Sequence, residues 1–322
     1  MRKLKSVGIC ALCLCLLLSF AGCAAAQQPL RVTLVLKTET DVAEFWGMLL
    51  SGVRKAAEEY GVELEVLISP TETDIERQIA LIRQATESRP DVMILSAADY
   101  DRCAEATEEA IAAGIGVVAV DTDVNAAGRA CFVGSNNYQI GQEMGSQMAS
   151  YLPDGGKVAV IQHMLTTTTG IDRTRGVIDA LTQAGNIEIL GSYCCDNSVL
   201  RAQQITKELL EDEPDIRGFV CTNEVCNVGA ANALVELGMG GRVFVVGCDN
   251  SQRQIAFLEQ NIIQAIVTQR PFNMGYMAVQ QAVRVAQGEK PEDFVEVACV
   301  LITRENMYTQ ENQKLLFPVM EN

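Results

Sequence analysis

Two aspartates, Asp121 and Asp249, end apolar runs that read GVVAVD and RVFVVGCD. Asn223 follows the run IRGFVCT, and Gln269 ends IIQAIVTQ. Arg175 lies in the helical stretch after KVAVIQ. Phe45 and Trp46 open the first helical stretch, and Trp46 is the only tryptophan. Carboxylate, amide and guanidinium groups are planar forks. They grip neighbouring hydroxyls at a fixed distance and angle. Aromatic faces cover the C–H faces of the same ring. The set suits a polyhydroxylated ring and offers little to an apolar ligand. Each residue also has a plainer use. A strand-end Asp, or Asn223, can cap the next helix. Arg175 can pair with Asp172 or Asp179 on its own helix. Phe45 and Trp46 can pack in a core.

The aspartates close two copies of one pattern. From Pro90 to Asp121 is 31 residues, and from Pro214 to Asp249 is 35. Each copy reads as a strand, a crossover helix and a second strand ending in a carboxylate. Similar alternation runs from residue 30 to about 303. Near-continuous apolar strands separated by helices imply parallel sheets covered on both faces. In such sheets ligands bind beyond the carboxyl ends of the strands. The expected fold class is therefore α/β, with two similar Rossmann-like lobes joined by a three-segment hinge. The crossings are expected near residues 134–137, 268–270 and 299–303. This gives a first lobe of 30–134 with 270–298, and a second of 135–269 with 299–322. FVEVACVLI (294–302) reads as one strand, and the last residues from Glu305 as a surface segment. Thr169 or Gly170 is expected to cap the helix after the threonine run.

The N-terminus reads as an export leader. Arg2, Lys3 and Lys5 precede an apolar stretch at 10–20 that is too short to span a bilayer comfortably. Phe20-Ala21-Gly22-Cys23 resembles a bacterial lipobox, with Phe20 departing from the usual Leu. Residues 1–22 are then a lipoprotein leader, Cys23 the lipid site, and 23–29 a linker. An ordinary leader cut near 24–26 is the alternative. The leader carries three basic residues, which leaves 22 basic against 41 acidic residues, a net charge of −19. That excludes a nucleic-acid partner, whose phosphates demand clustered Lys and Arg. Eight cysteines lie beyond Cys23, with no Cys-x-x-Cys pair. Free thiols are the simplest expectation, several as small core residues. His163 is the only histidine, so zinc-type spacing is absent. No nucleophile elbow, dinucleotide fingerprint or P-loop occurs. Neither cofactor, metal nor enzymatic activity is expected.

From about residue 30 to 303 the chain resembles the type I periplasmic binding proteins for sugars, the ribose-binding proteins among them. The resemblance rests on Phe45-Trp46 with Gly52, DVMILS, VVAVDTD, Arg173-Thr174-Arg175-Gly176, TNE at 222–224, VVGCD and AIVTQRP. It implies sugar contacts at Phe45, Trp46, Asp121, Arg175, Asn223, Asp249 and Gln269. Three departures bear on the ligand. Residues 39–44 are longer and acidic, Thr122 stands where the ribose binders have Arg, and Asn197 stands near their second-lobe aromatic wall. The resemblance implies a lipid-anchored protein on the outer face of the cytoplasmic membrane. It would be a monomer that captures a sugar, polyol or nucleoside-like ligand and delivers it to the permease of an ABC importer. Presentation to a sensor histidine kinase or chemoreceptor is the alternative. The repressors that share this fold need a basic DNA-binding helix pair where this chain has its leader.

Overall fold

The computed structural model describes residues 29–39 and 44–317. The leader, Cys23 and most of the linker lie outside the described residues, and so do the cleavage and lipidation expected there.

Twelve strands form two six-stranded sheets among the described residues. The first holds β1 (Arg31–Leu36), β2 (Glu63–Ile68), β3 (Val92–Leu95), β4 (Gly116–Val120), β5 (Cys131–Gly134) and β11 (Phe294–Glu296), in the order β11-β5-β4-β3-β1-β2. The second holds β6 (Gly156–Gln162), β7 (Ile187–Cys194), β8 (Ile216–Cys221), β9 (Phe244–Cys248), β10 (Ala265–Thr268) and β12 (Val300–Thr303), in the order β12-β10-β9-β8-β6-β7. The orders match strand for strand. β3 and β5 are buried along their whole length, as strands covered on both faces must be.

The helices are α1 (Glu44–Tyr60), α2 (Ile75–Ser88), α3 (Ala104–Ala112), α4 (Asn137–Tyr151), α5 (Thr168–Ala184), α6 (Val199–Asp212), α7 (Glu224–Glu236), α8 (Gln252–Glu259), α9 (Pro271–Ala286) and α10 (Gln310–Leu316). Most begin where a short polar side chain accepts a first-turn N–H. Asn136, Ser198 and Ser251 do so for α4, α6 and α8. The cap of α5 is Thr167, which takes the Gly170 N–H, rather than Thr169 or Gly170 as expected. α9 begins with Pro at its first position, which needs no N–H partner.

Each lobe is clasped by one close helix crossing. In the first, a Cβ at Gly52 would stand 2.0 Å from the Phe272 carbonyl oxygen, and one at Gly275 2.1 Å from that of Leu49. In the second, Gly141 lies against Arg173 and Gly176 against Tyr138 in the same reciprocal way. The obstructing atoms are backbone, so a side chain there must push the helices apart. Gly275→Val is expected to cost about 1–3 kcal/mol through overpacking. That lowers the melting midpoint by roughly 5 °C. An unchanged midpoint in a thermal melt would mean that α1 and α9 do not approach so closely.

Two expectations need correction. Residues 294–302 do not form one strand. β11 is a parallel edge of the first sheet, and β12 runs antiparallel to β10 in the second. The chain changes sheet between them, so the second sheet is mostly and not wholly parallel. Nor are the residues after Glu305 merely surface. Met307 and Leu316 are buried in the second lobe's core, and α10 covers it.

Candidate functional site

The carboxyl ends of both sheets face one cavity of about 270 Å³. That is at the small end for ligand sites. Asp121 and Asp249 enter it from equivalent positions, each just past the equivalent strand of its sheet. Both have left-handed backbones, with φ of 62° and 70°. Each donates its N–H to the next strand, Asp121 to Val133 at 3.0 Å and Asp249 to Val267 at 2.9 Å. Neither is the N-cap residue of a helix, although Asp249 Oδ2 accepts the first N–H of α7, that of Glu224, at 3.3 Å. Left-handed φ is uncommon outside glycine but tolerated by Asp, and it turns both carboxylates off the strand ends.

The two walls are built differently. In the first lobe, Lys37 Nζ at the end of β1 lies 3.4 Å from Glu72 and 3.8 Å from Asp121. It also sits 5.3 Å from the centre of the Trp46 ring. All four side chains are buried. Among the described residues no hydrogen bond joins Lys37, Glu72 and Asp121, and Glu72 Oε2 has no hydrogen-bond partner. Phe45 packs edge-on against Trp46, with centroids 5.1 Å apart. Both rings line the cavity, and Trp46 also belongs to the first lobe's core.

The second wall is already bonded. Gln269 Nε2 donates to Asp249 Oδ1 at 2.6 Å, and the Glu224 N–H reaches Oδ2 at 3.3 Å. Arg173 Nη1 lies 3.8 Å from the same carboxylate. That guanidinium is held by Asn137 Oδ1 and the Thr222 carbonyl, each at 2.9 Å. Asn223 serves two ends. Its Oδ1 caps α7 through the Cys226 N–H, while its Nδ2 donates to Asn197 Oδ1. Capping and cavity lining were therefore never alternatives for this residue. His163 is buried between Thr222 and Thr169, 2.8 and 3.1 Å from their hydroxyls. Burial holds its pKa well below the usual histidine value, so the ring stays neutral and acts as a wall.

The lobes touch at the cleft mouth. Thr166 accepts the Tyr100 N–H at 2.9 Å through its carbonyl, and Thr168 Oγ1 accepts that of Asp123 at 3.1 Å. The threonine run thus supplies two bonds across the gap.

Burial pushes the Asp121 carboxyl up to about 6. Lys37 and Arg173 oppose this, while Asp249 and Glu72 add to it. In the folded chain this group binds more protons than in the unfolded one between the usual Asp value and about 6. Its contribution to stability therefore falls as pH rises through that window and is level above it. A ligand hydroxyl donating to the carboxylate favours the ionised form. Affinity is then expected to be flat from pH 8 to 7 and to drop on the order of tenfold by pH 5. Asp121→Asn should flatten that profile in calorimetric titrations.

Of the residues expected from sequence, Phe45, Trp46, Asp121, Asn223, Asp249 and Gln269 all line the cavity. Arg175 does not. It is exposed on the outer side of α5, paired with Asp172 at 3.1 Å and stacked 4.9 Å from the Tyr138 ring centre. Arg173 holds the inner position. Two residues turn a helix by roughly 200°, so the two arginines face nearly opposite ways. The burial phase of α5 includes Arg173, Gly176, Val177 and Ala180 and passes over Arg175. That phase was the signal available in the sequence. Lys37 and Glu72 were missed as well.

Residues 32–290 match the periplasmic binding protein domain family. The chain belongs to that family. Among its members, a D-ribose/D-allose-binding protein of Pseudomonas aeruginosa is 26% identical over 299 residues, covering 90% of this chain and 92% of that one. A sugar transporter structure from Clostridium phytofermentans is 31% identical, with a TM-score of 0.78 over 84% of this chain and 98% of that one. A carbohydrate transporter solute-binding protein from Agrobacterium radiobacter, solved with D-arabinose, shares the fold. Its TM-score is 0.86 at 24% identity, over 90% of this chain and all of the other. The matched order of the two sheets, with the cleft between them, is the periplasmic binding protein architecture.

Proposed function

We propose that this periplasmic binding protein captures one neutral monosaccharide and delivers it to an ABC importer. The carrying observation is the contrast between its two walls. Asp249 is oriented by Gln269 and Arg173, whereas Lys37, Glu72 and Asp121 meet only through ion contacts. Their unmet donors and acceptors suit adjacent sugar hydroxyls, which both donate and accept. The cavity lining holds three cations, Lys37, Arg173 and Arg253, against four carboxylates, Glu72, Asp121, Glu224 and Asp249. An anionic sugar would add to that surplus, so sugar acids and sugar phosphates fit poorly. The size of the cavity and the names of the ribose and allose binders both support an aldose.

The reading extends to the rest of the chain. Residues 1–22 are cut off, and Cys23 carries the lipid that keeps the protein, as a monomer, at the outer face of the membrane. The hinge comprises the three crossings after β5, β10 and β11, between lobes 30–134 with 270–298 and 135–269 with 299–322. Sugar bridges the lobes and shifts the balance toward the closed form, to the extent that it binds that form better.

Lys37→Met leaves Glu72 and Asp121 without their buried cation, so folding should be verified before selectivity is compared. Affinity for the best sugar is expected to fall about tenfold, equal to 1.4 kcal/mol. The order of preference among epimers should change with it, as read by calorimetry. A panel of pentoses, hexoses, inositols, nucleosides and sugar acids tests the function itself by thermal shift. At a hundred times Kd a true ligand adds about 2.7 kcal/mol. The proposal predicts that a neutral aldose raises the midpoint and that its aldonic acid does not. No shift with any neutral sugar at millimolar concentration would refute it.

A further inference from the structure

Behind the second wall lie Cys195 and Cys226, both buried, with sulfurs 3.5 Å apart. Cys195 follows β7, and Cys226 sits in the first turn of α7. Their backbones are fixed independently. The Cys195 N–H donates to Gln162 at 2.9 Å, its carbonyl accepts from Ser198, and the Cys226 N–H donates to the Asn223 cap. Between the cysteine and Ser198 stand Asp196 and Asn197, consecutive non-glycines with left-handed φ of 49° and 51°. Such a pair is costly unless its surroundings hold it. Asn197 lines the cavity and is bonded to Asn223. The loop and the helix are thus joined by two rungs, an amide pair facing the ligand and a thiol pair behind it.

We propose that Cys195 and Cys226 form a disulfide in the exported protein and that this bond locks the Asn197 loop against α7. A disulfide needs its sulfurs at about 2.0 Å. Closing the gap from 3.5 Å requires the two side chains to rotate toward each other. The oxidant is an external disulfide, either a small molecule or an exported oxidoreductase, as oxidising compartments supply. One thiolate displaces a sulfur of that disulfide to give a mixed disulfide, and the other thiolate then displaces the second sulfur. The cysteines lose two electrons and two protons, and the oxidant leaves as two thiols. Both sulfurs are buried in the finished fold, so the bond forms as the exported chain folds. The proposal revises the expectation of eight free thiols, and it does not depend on which sugar binds.

The test uses the full chain expressed with its own leader, collected outside the cytoplasm and denatured without reductant. After alkylation and digestion, the peptide containing Cys195 should be linked to that containing Cys226, and a phosphine reductant should separate them. Cys226→Ser should abolish the link, whereas Cys194→Ser and Cys221→Ser should retain it. Reduction should lower the melting midpoint by about 5 °C. Alkylation of all eight thiols without reductant overturns the proposal. So does a link that disappears in Cys221→Ser, a result that stands even where Cys226→Ser fails to fold.

Discussion

Replacing Arg173 with Met weakens sugar binding by about a hundredfold, while Arg175→Ala leaves it within about twofold. The two arginines are two residues apart and differ in everything physical. Arg173 is buried, with Nε and Nη1 committed to Asn137 and Thr222, and it faces Asp249 at 3.8 Å. Those bonds aim the guanidinium and leave Nη2 for a ligand oxygen. Truncation removes that donor and leaves Asp249 without its cation in a water-poor site. Losing one partner of a buried charge pair costs about 3–5 kcal/mol. Folding should therefore be verified by circular dichroism before affinity is compared. Arg175 is exposed and holds only Asp172 and the Tyr138 face. An exposed pair of that kind contributes about 0–1 kcal/mol. Calorimetry with the same sugar reads both variants. Equal losses in the two would mean that α5 is turned the other way.

The second large effect is expected at Asp249. Asp249→Ala should weaken binding at least tenfold, about 1.4 kcal/mol or more. It removes the acceptor for Gln269 and the Glu224 N–H and leaves Arg173 unbalanced. Asp249→Asn separates charge from shape. The amide can still accept from Gln269, so the wall keeps its form while the carboxylate charge is lost. If affinity depends on charge-assisted bonds to hydroxyls, Asn should lose most of what Ala loses. If Asn binds like wild type, the carboxylate does no more than hold Gln269.

The periodicity of the chain exposed most of this arrangement. Strand ends are marked where an apolar run meets a polar residue, which is why Asp121, Asn223, Asp249 and Gln269 could be read directly. Lys37 obeys the same rule, standing where the apolar run LRVTLVLK ends. Glu72 stands in the connection between β2 and α2, four residues past the end of β2. Only folding brings its carboxylate 3.4 Å from Lys37. Arg175 in place of Arg173 was an error of helical phase within the correct segment. In residues 294–302 apolarity cannot mark the crossing, because Val297 between the two strands is itself apolar and buried while the strands on either side are mostly half-buried. α10 was illegible for a different reason. Only Asn312 and Leu316 are buried along its seven residues, too few to set a period.

The central claim is that one neutral sugar is held between a prebuilt second-lobe wall and an unbonded first-lobe wall. A crystal structure with the aldose that gives the largest thermal shift tests it most directly. The sugar should lie between Lys37, Glu72 and Asp121 on one side and Arg173, Asp249 and Gln269 on the other, with each carboxylate accepting from a hydroxyl. A sugar bound elsewhere, such as in the groove lined by Met48, Phe272 and Leu315, or contacting only one wall, would contradict it.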